Sequence, residues 1–215
     1  MKRRKNDLLI NLFLLLVVCV LYAATGGHDL GRQLSKMTMA PVYRGTGEDV
    51  ALLCKLDYDA AALEDILETL QTAQTRITFA VSGEWADAHP EALTRLISAH
   101  ELAVTGDDLK DAKASKAAIE AAGGTPLYYY GAPDTNASRI ARKLGLTHVH
   151  CTADVLCAKG GARDIVTRAS NAATKGSILL TQPTRAFADA LPGLLSELQT
   201  KGLRVAAVGD AIQTE

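Results

Sequence analysis

The chain contains four cysteines and five histidines among its 215 residues, yet it has no Cys-x-x-Cys pair and no Cys/His spacing that would hold a structural zinc. Zinc ribbons, fingers and vicinal-dithiol redox folds are set aside on that ground. A glycine-rich phosphate loop, a Gly-x-Ser-x-Gly nucleophile elbow and an internal repeat are also missing. Their absence leaves no sequence basis for a P-loop NTPase, a serine hydrolase of the elbow type or a solenoid. Nor is there an excess of charge of one sign. The formal net charge of −1 gives no general attraction to nucleic acid or acidic polymers, and no nucleic-acid partner is expected.

Polar residues are scarce at one place above all. From Leu8 to Ala24, seventeen residues, only Asn11 interrupts an apolar run, so no polar face exists for a surface helix. At ~1.5 Å per residue the run spans roughly 26 Å, a little under the ~30 Å hydrocarbon core. Lys2, Arg3, Arg4 and Lys5 against Asp7 make the first seven residues +3, leaving −4 for the rest. Basic then apolar is the order of a signal peptide or an uncleaved signal anchor. Small residues follow at Ala23-Ala24-Thr25-Gly26 without a clean Ala-x-Ala, which favours the anchor. The expected organisation is a cytoplasmic basic segment (1–6), a transmembrane anchor (7–25), a linker (26–48) and one extracytoplasmic domain (49–215), giving a single-pass protein of the cell membrane. Outside the anchor, Cys54, Cys151 and Cys157 remain. Cys151 and Cys157 are either buried free thiols or a disulfide, and buried thiols are the favoured state.

Beyond residue 48 the hydrophobic pattern alternates in period. Short apolar runs at Val50–Cys54, Ile77–Val81, Leu102–Val104, Leu127–Tyr130, Thr147–Cys151, Ser177–Leu180 and Val205–Val208 read as strands. Between them, stretches near Ala60–Leu70, Pro90–Ala99, Asp108–Ala122, Ser138–Leu144, Ile165–Ala173 and Ala186–Thr200 carry helical spacing, several closed by glycine. Strands alternating with helices of this length predict βα units around a parallel sheet, as a small barrel of about seven units.

Five passages resemble one family. They are Pro41-Val42-Tyr43-Arg44 leading into Val50-Ala51-Leu52, the helix Glu64–Leu70, the run Thr78–Glu91, Leu144–Asp154, and Ala190–Val205. The third, with Ser82-Gly83-Glu84-Trp85-Ala86-Asp87-Ala88-His89-Pro90-Glu91, matches a segment written Ser-Gly-x-Trp-Ala-x-x-His-Pro-Glu. The series resembles the polysaccharide deacetylases (carbohydrate esterase family four), and within them a membrane-anchored, sporulation-associated branch. The resemblance implies a distorted (β/α)7 barrel of the polysaccharide deacetylase type. It also implies chemistry in which an Asp and two His hold a divalent metal, an Asp acts as base and a His acts as acid.

Position by position, the residues of this chain are of other types. Lys55 falls where the base belongs, and an ammonium near its reference pKa of ~10.4 accepts no proton at neutral pH. Thr105 and Leu109 fall where the two metal-ligating histidines belong, and leucine has no lone pair to offer. Leu127 replaces the orienting arginine of Arg-Pro-Pro-x-Gly. Gln182 replaces the general-acid histidine and carries no titratable proton. Asp154 is retained in a supporting role.

The resemblance therefore implies a divergent, catalytically inactive deacetylase-like protein with no metal, binding or scaffolding at the cell envelope and associated with sporulation. Trp85, Tyr128, Tyr129, Tyr130 and Asp154 are candidate contacts to cell-wall glycan, although core packing is the default for consecutive strand tyrosines. Two rivals stay open. One is an active zinc-dependent N-deacetylase of peptidoglycan or chitin-like glycans, with Asp57, Asp59, Asp107 and His100 rebuilding the site. The other is a structural partner with a large exposed apolar patch. His148 and His150 share a strand face by the period of two, but a third ligand is not supplied.

Overall fold

Val50-Ala51-Leu52-Leu53-Cys54 shows no polar alternation, which in a sheet means burial on both faces. The computed structural model describes residues 40–57 and 62–212. In it this run forms β1 (Val50–Leu56), in which all but Lys55 is buried. Around β1 lie β2 (Thr78–Val81), β3 (Glu101–Thr105), β4 (Tyr128–Tyr130), β5 (Thr147–Val149), β6 (Ala153–Asp154), β7 (Ile178–Thr181) and β8 (Val205–Ala206). Helices α1 (Leu63–Thr72), α2 (Gly83–Ala88), α3 (Pro90–Ala99), α4 (Leu109–Ala121), α5 (Thr135–Leu144), α6 (Ala162–Ala172), α7 (Arg185–Thr200) and α8 (Val208–Ile212) connect or follow the strands.

The ladder order is β5-β4-β3-β2-β1-β7-β6, with β8 on β1, and every pairing is parallel. The two ends of that order, β5 and β6, are consecutive pieces of one segment. Its first piece pairs with β4 and its second with β7. The sheet is thus a parallel half-barrel whose ends meet through His150–Thr152. Val42 takes up the backbone bonds at this break, donating to His148 O and accepting from His150 N, both at 2.9 Å. Arg44 continues across to Ser177 and to the Lys175 carbonyl. Residues 41–47, expected as linker, are therefore bonded into the domain, and Gly45 is fixed there because a Cβ would lie 1.9 Å from Ala211 O.

Two apolar layers result from strand alternation. Leu52, Cys54, Leu56, Phe79, Val81, Val104, Tyr129 and Leu179 point outward under the helices. Ala51, Leu53, Ala80, Ala103, Tyr128, Tyr130, Val149, Ile178 and Leu180 fill the barrel. Small residues face one another where the interior is narrow, while each fully buried leucine contributes about 2 kcal/mol. Val208 and Ala211 of α8 plug the end where the strands begin. There Val208 N donates to Thr78 Oγ1 at 2.7 Å, and Gly209 N donates to Glu101 Oε1 at 3.0 Å. The open mouth is the other end, where the strands finish.

Local signals explain most boundaries. Pro90 opens α3, Asp108 Oδ1 caps α4 by accepting from Lys110 N and Asp111 N, and Gly145 closes α5 at φ 72°. Three expectations are corrected. The run 205–208 is a two-residue strand followed by α8, because Val208 turns inward to plug the barrel. The strand expected at 147–151 ends at Val149, where the break begins. Residues 83–88, unassigned from sequence, form α2, too short for a visible period and set instead by the Ser82 cap on Trp85 N. Among the described residues no helix is long and apolar enough to cross a membrane, and the expected anchor at 7–25 lies outside them.

Candidate functional site

At the mouth, β1 delivers Lys55, whose Nζ lies 2.8 Å from Asp57 Oδ2. Each side chain of this pair is more than a quarter exposed, so it faces water rather than the core. Thr105 ends β3 and is buried, and its hydroxyl donates to Tyr130 O at 3.0 Å. Leu109 is the first residue of α4 and packs against the outer core. Gln182 follows β7, and Asp154 ends β6 with Oδ1 accepting from Leu156 N at 2.8 Å. That turn holds Leu156 at φ 55° with its side chain 39% exposed, an apolar residue kept in the left-handed region at the rim. Asp59 lies outside the described residues.

Leu127 is elsewhere. It precedes β4, at the closed end of the barrel, and is 43% exposed. Tyr130 is the residue of this stretch that reaches the mouth, because three strand positions separate it from Leu127. The tyrosines alternate as a strand requires, with Tyr128 and Tyr130 inside the barrel and Tyr129 outside. Tyr129 Oη donates to Gly106 O at 2.7 Å. Its ring also excludes any side chain at Gly131, where a Cβ would stand 2.4 Å from Tyr129 Cε1. Trp85, Tyr128 and Tyr129 are 1%, 0% and 1% exposed, which corrects their expected part in sugar stacking: no ring face is free. Trp85 instead stacks on His89 at 4.8 Å, and its indole Nε1 meets no acceptor among the described residues.

The two late histidines part company. His148 Nδ1 meets Ser138 Oγ of α5 at 2.9 Å on the outer side, and burial lowers its pKa. His150, past the end of β5, stacks parallel to Tyr130 at 5.6 Å and receives the edge of Tyr43 at 5.6 Å. The period of two stops with the strand, so the shared face expected for this pair does not form. His150 Nδ1 is 2.8 Å from Gly131 O, and Nε2 is 3.9 Å from Cys151 Sγ. Cys151 packs against the interior layer that contains Tyr130. Periodicity pairs His150 with His148 and assigns Tyr43 no role, since neighbours across a chain break leave no periodic signal.

Cys54, Cys151 and Cys157 are all free thiols. Cys54 and Cys157 face the outer core while Cys151 packs against the barrel interior, so the layers keep Cys151 and Cys157 apart. Burial raises all three thiols, taking Cys157 to about 11. Tyr130 is likewise pushed up, by burial first and then by the neighbouring Cys151, Asp154 and Asp57.

The rebuilt metal site needs His100 beside Asp57 and Asp107, and the fold separates them. His100 precedes β3 at the closed end, whereas Asp57 and Asp107 follow β1 and β3 at the mouth. His100 is a packing residue: it accepts from Ile77 N, sits edge-on to Phe79 at 5.2 Å, and is held neutral with its pKa lowered to about 4 by burial and by Arg76. Among the described residues no three of His, Cys, Asp and Glu converge to hold a metal ion. Two grooves, of about 1470 and 550 Å³, open at the closed end beside Gln74–Arg76, remote from the mouth.

The parallel half-barrel resembles several solved structures in its fold. A family-four carbohydrate esterase pseudoenzyme from Bacillus anthracis superposes with a TM-score of 0.77 at 20% identity, over 82% of this chain and 70% of that one. The Bc1960 peptidoglycan N-acetylglucosamine deacetylase gives 0.73 at 20% identity, over 81% and 93%. A family-four carbohydrate esterase from Streptomyces lividans, in complex with acetate, gives 0.69 at 20%, over 78% and 97%. No family model and no curated protein matches the sequence. The chain thus has the fold of the family-four carbohydrate esterases.

The divalent metal that the resemblance implies does not fit this donor set. Thr105 offers only a neutral hydroxyl, Leu109 offers no donor atom, and the position that the resemblance aligns with a carboxylate at the end of β1 holds the Lys55 cation.

Proposed function

We propose that this chain is a catalytically silent deacetylase-like protein of the cell envelope that binds an N-acetylated glycan of the peptidoglycan or chitin class without cleaving it. One observation carries the reading: Lys55, which the sequence resemblance aligns with the general base, is ion-paired to Asp57. A base must bring a free lone pair to accept a proton, and an ammonium has none. Gln182 and Thr105 compound the loss, since neither an amide nor a neutral hydroxyl replaces an imidazole. The B. anthracis pseudoenzyme supports the reading as a fold precedent, and a mutant of it with restored enzymatic activity is a further structural match.

With three aromatic candidates buried, glycan contact falls to polar edges at the mouth: the Tyr130 hydroxyl, Asp57, Asp154 and Gln182, with Tyr43, 45% exposed, at the rim. Anchoring through residues 7–25, the extracytoplasmic location and the sporulation link belong to the same proposal and rest on the sequence alone. Isothermal titration with chitooligosaccharides and muropeptides, run beside an acetate-release assay, tests it. Binding without acetate is expected. Acetate release overturns the silent reading, and no binding leaves only a scaffold.

A further inference from the structure

Of the three thiols described, Cys54 and Cys157 are sealed in the outer core at 0% and 1% exposure, and only Cys151 is within reach of solvent. It is not alone there. With Nδ1 directed at Gly131 O at 2.8 Å, a carbonyl that can only accept, the neutral His150 ring must carry its proton on Nδ1. Nε2 is then the unprotonated nitrogen, and it lies 3.9 Å from Cys151 Sγ. The ring has little freedom to turn, being stacked on Tyr130 and met edge-on by Tyr43. Tyr130 and Cys151 belong to the same interior layer of the barrel. A base and a thiol thus meet at the barrel mouth.

We infer that Cys151 and His150 form a thiol–imidazole pair that captures small disulfides at the mouth. The pair rests in its neutral form, because burial and Asp154 both disfavour a thiolate. Proton transfer to Nε2 therefore accompanies attack. Cys151 Sγ bonds to one sulfur of a low-molecular-weight disulfide as its proton passes to His150. The S–S bond of the reagent breaks, and the departing thiolate takes the proton. Cys151 is oxidised to a mixed disulfide while the other half of the reagent is reduced to a free thiol. A raised thiol pKa leaves little thiolate at rest, so the proton transfer to Nε2 is what makes the attack possible. The adduct would sit against Tyr130 and close the mouth. The site does not depend on glycan binding.

The test exposes the folded full chain to glutathione disulfide and to dithiodipyridine, with modification mapped by peptide mass spectrometry and rates followed between pH 5 and 9 (about the span over which imidazole and thiol titrate). Cys151 is expected to react at least about tenfold faster than Cys54 or Cys157, with a rate step on the acid side from His150. His150→Gln should lower the rate near neutrality about tenfold and remove that step. The groups facing the pair are Tyr43, Tyr130, His148, Asp57 and Asp154, so the step is assigned by the His150 variant rather than by its position. Labelling of Cys151 no faster than the buried thiols overturns the inference, as does an unchanged profile in a folded His150→Gln protein. Should that variant not fold, the native labelling order and the presence or absence of the acid-side step decide.

Discussion

Lys55 Nζ stands 2.8 Å from the Asp57 carboxylate at the end of β1, so the cation that the resemblance aligns with a general base is already partnered by an acid. Lys55→Asp restores the carboxylate but sets it beside Asp57 as a second like charge, and it adds no metal donors at Thr105 or Leu109. The variant is therefore expected to release no acetate from peptidoglycan and to lower stability by about 1 kcal/mol or less, as the site is partly solvated. Acetate release by this single variant would show that a metal is held without the missing histidines. Denaturant unfolding beside the acetate assay reads both effects.

His100 supplies an acid-side signature. Its folded pKa is lowered to about 4 from an ordinary value of 6.5, chiefly by burial and further by Arg76. Between those values the unfolded chain binds a proton that the folded chain does not. Stability is therefore full above pH 6.5 and falls as pH drops toward 4, by at most about 3 kcal/mol. Glu101 next to it acts in the opposite sense. Burial raises its carboxyl, so its contribution is present at low pH and lost as pH climbs through its folded value. Urea unfolding across this range should show a steeper acid-side loss in the native chain than in His100→Gln, and parallel curves would contradict the assignment.

Gly83 marks the closest approach of α2 to α4, where a Cβ would lie 2.8 Å from Ala114 Cβ and 2.9 Å from Ser115 N. Ser115 Oγ fixes the same contact by donating to Val81 O at 2.6 Å. Backbone on the far side cannot step away, so Gly83→Ala should cost about 2 kcal/mol of stability despite its higher helix propensity. A thermal shift toward greater stability would show that the two helices separate freely.

Arg168 on α6 ties down the loop that follows β6. Its Nε donates to Val155 O at 2.8 Å, and one terminal nitrogen donates to Leu156 O at 3.1 Å and Lys159 O at 2.5 Å. With these bonds gone, only the Asp154 Oδ1 and Lys159 N bonds to its backbone still hold Leu156 at φ 55°. Arg168→Ala should cost about 2 kcal/mol and speed amide exchange across residues 155–159 before the rest of the chain. Uniform exchange over the molecule would place the loop's stability elsewhere.

The barrel is legible in the sequence because its signals are local and repeated. Pro90 and Asp108 open helices where expected, Gly145 closes one, and the unbroken apolar run at Val50 marks the central strand. The mouth is legible only as residue types. Lys55 reads as a misplaced cation, but its partner Asp57 reads only as a candidate ligand of a rebuilt site, and the ion pair depends on a side-chain direction that a spacing does not give. Leu127 is aligned by its distance from Gly131, yet the strand it precedes begins at the closed end, away from the mouth. Tyr43, His150 and Cys151 are unreadable together because they meet across more than a hundred residues, at a break in the sheet where no period holds.

Metal content and turnover measured on one preparation address the central claim most directly. The full chain, loaded with excess zinc and then desalted, would be analysed for bound metal and assayed for acetate release from peptidoglycan and chitooligosaccharides. With Lys55, Thr105 and Gln182 at the strand ends and Leu109 packed on the outer core, substoichiometric metal and no acetate above the uncatalysed rate are expected. One tightly held divalent ion per chain together with acetate release would contradict it.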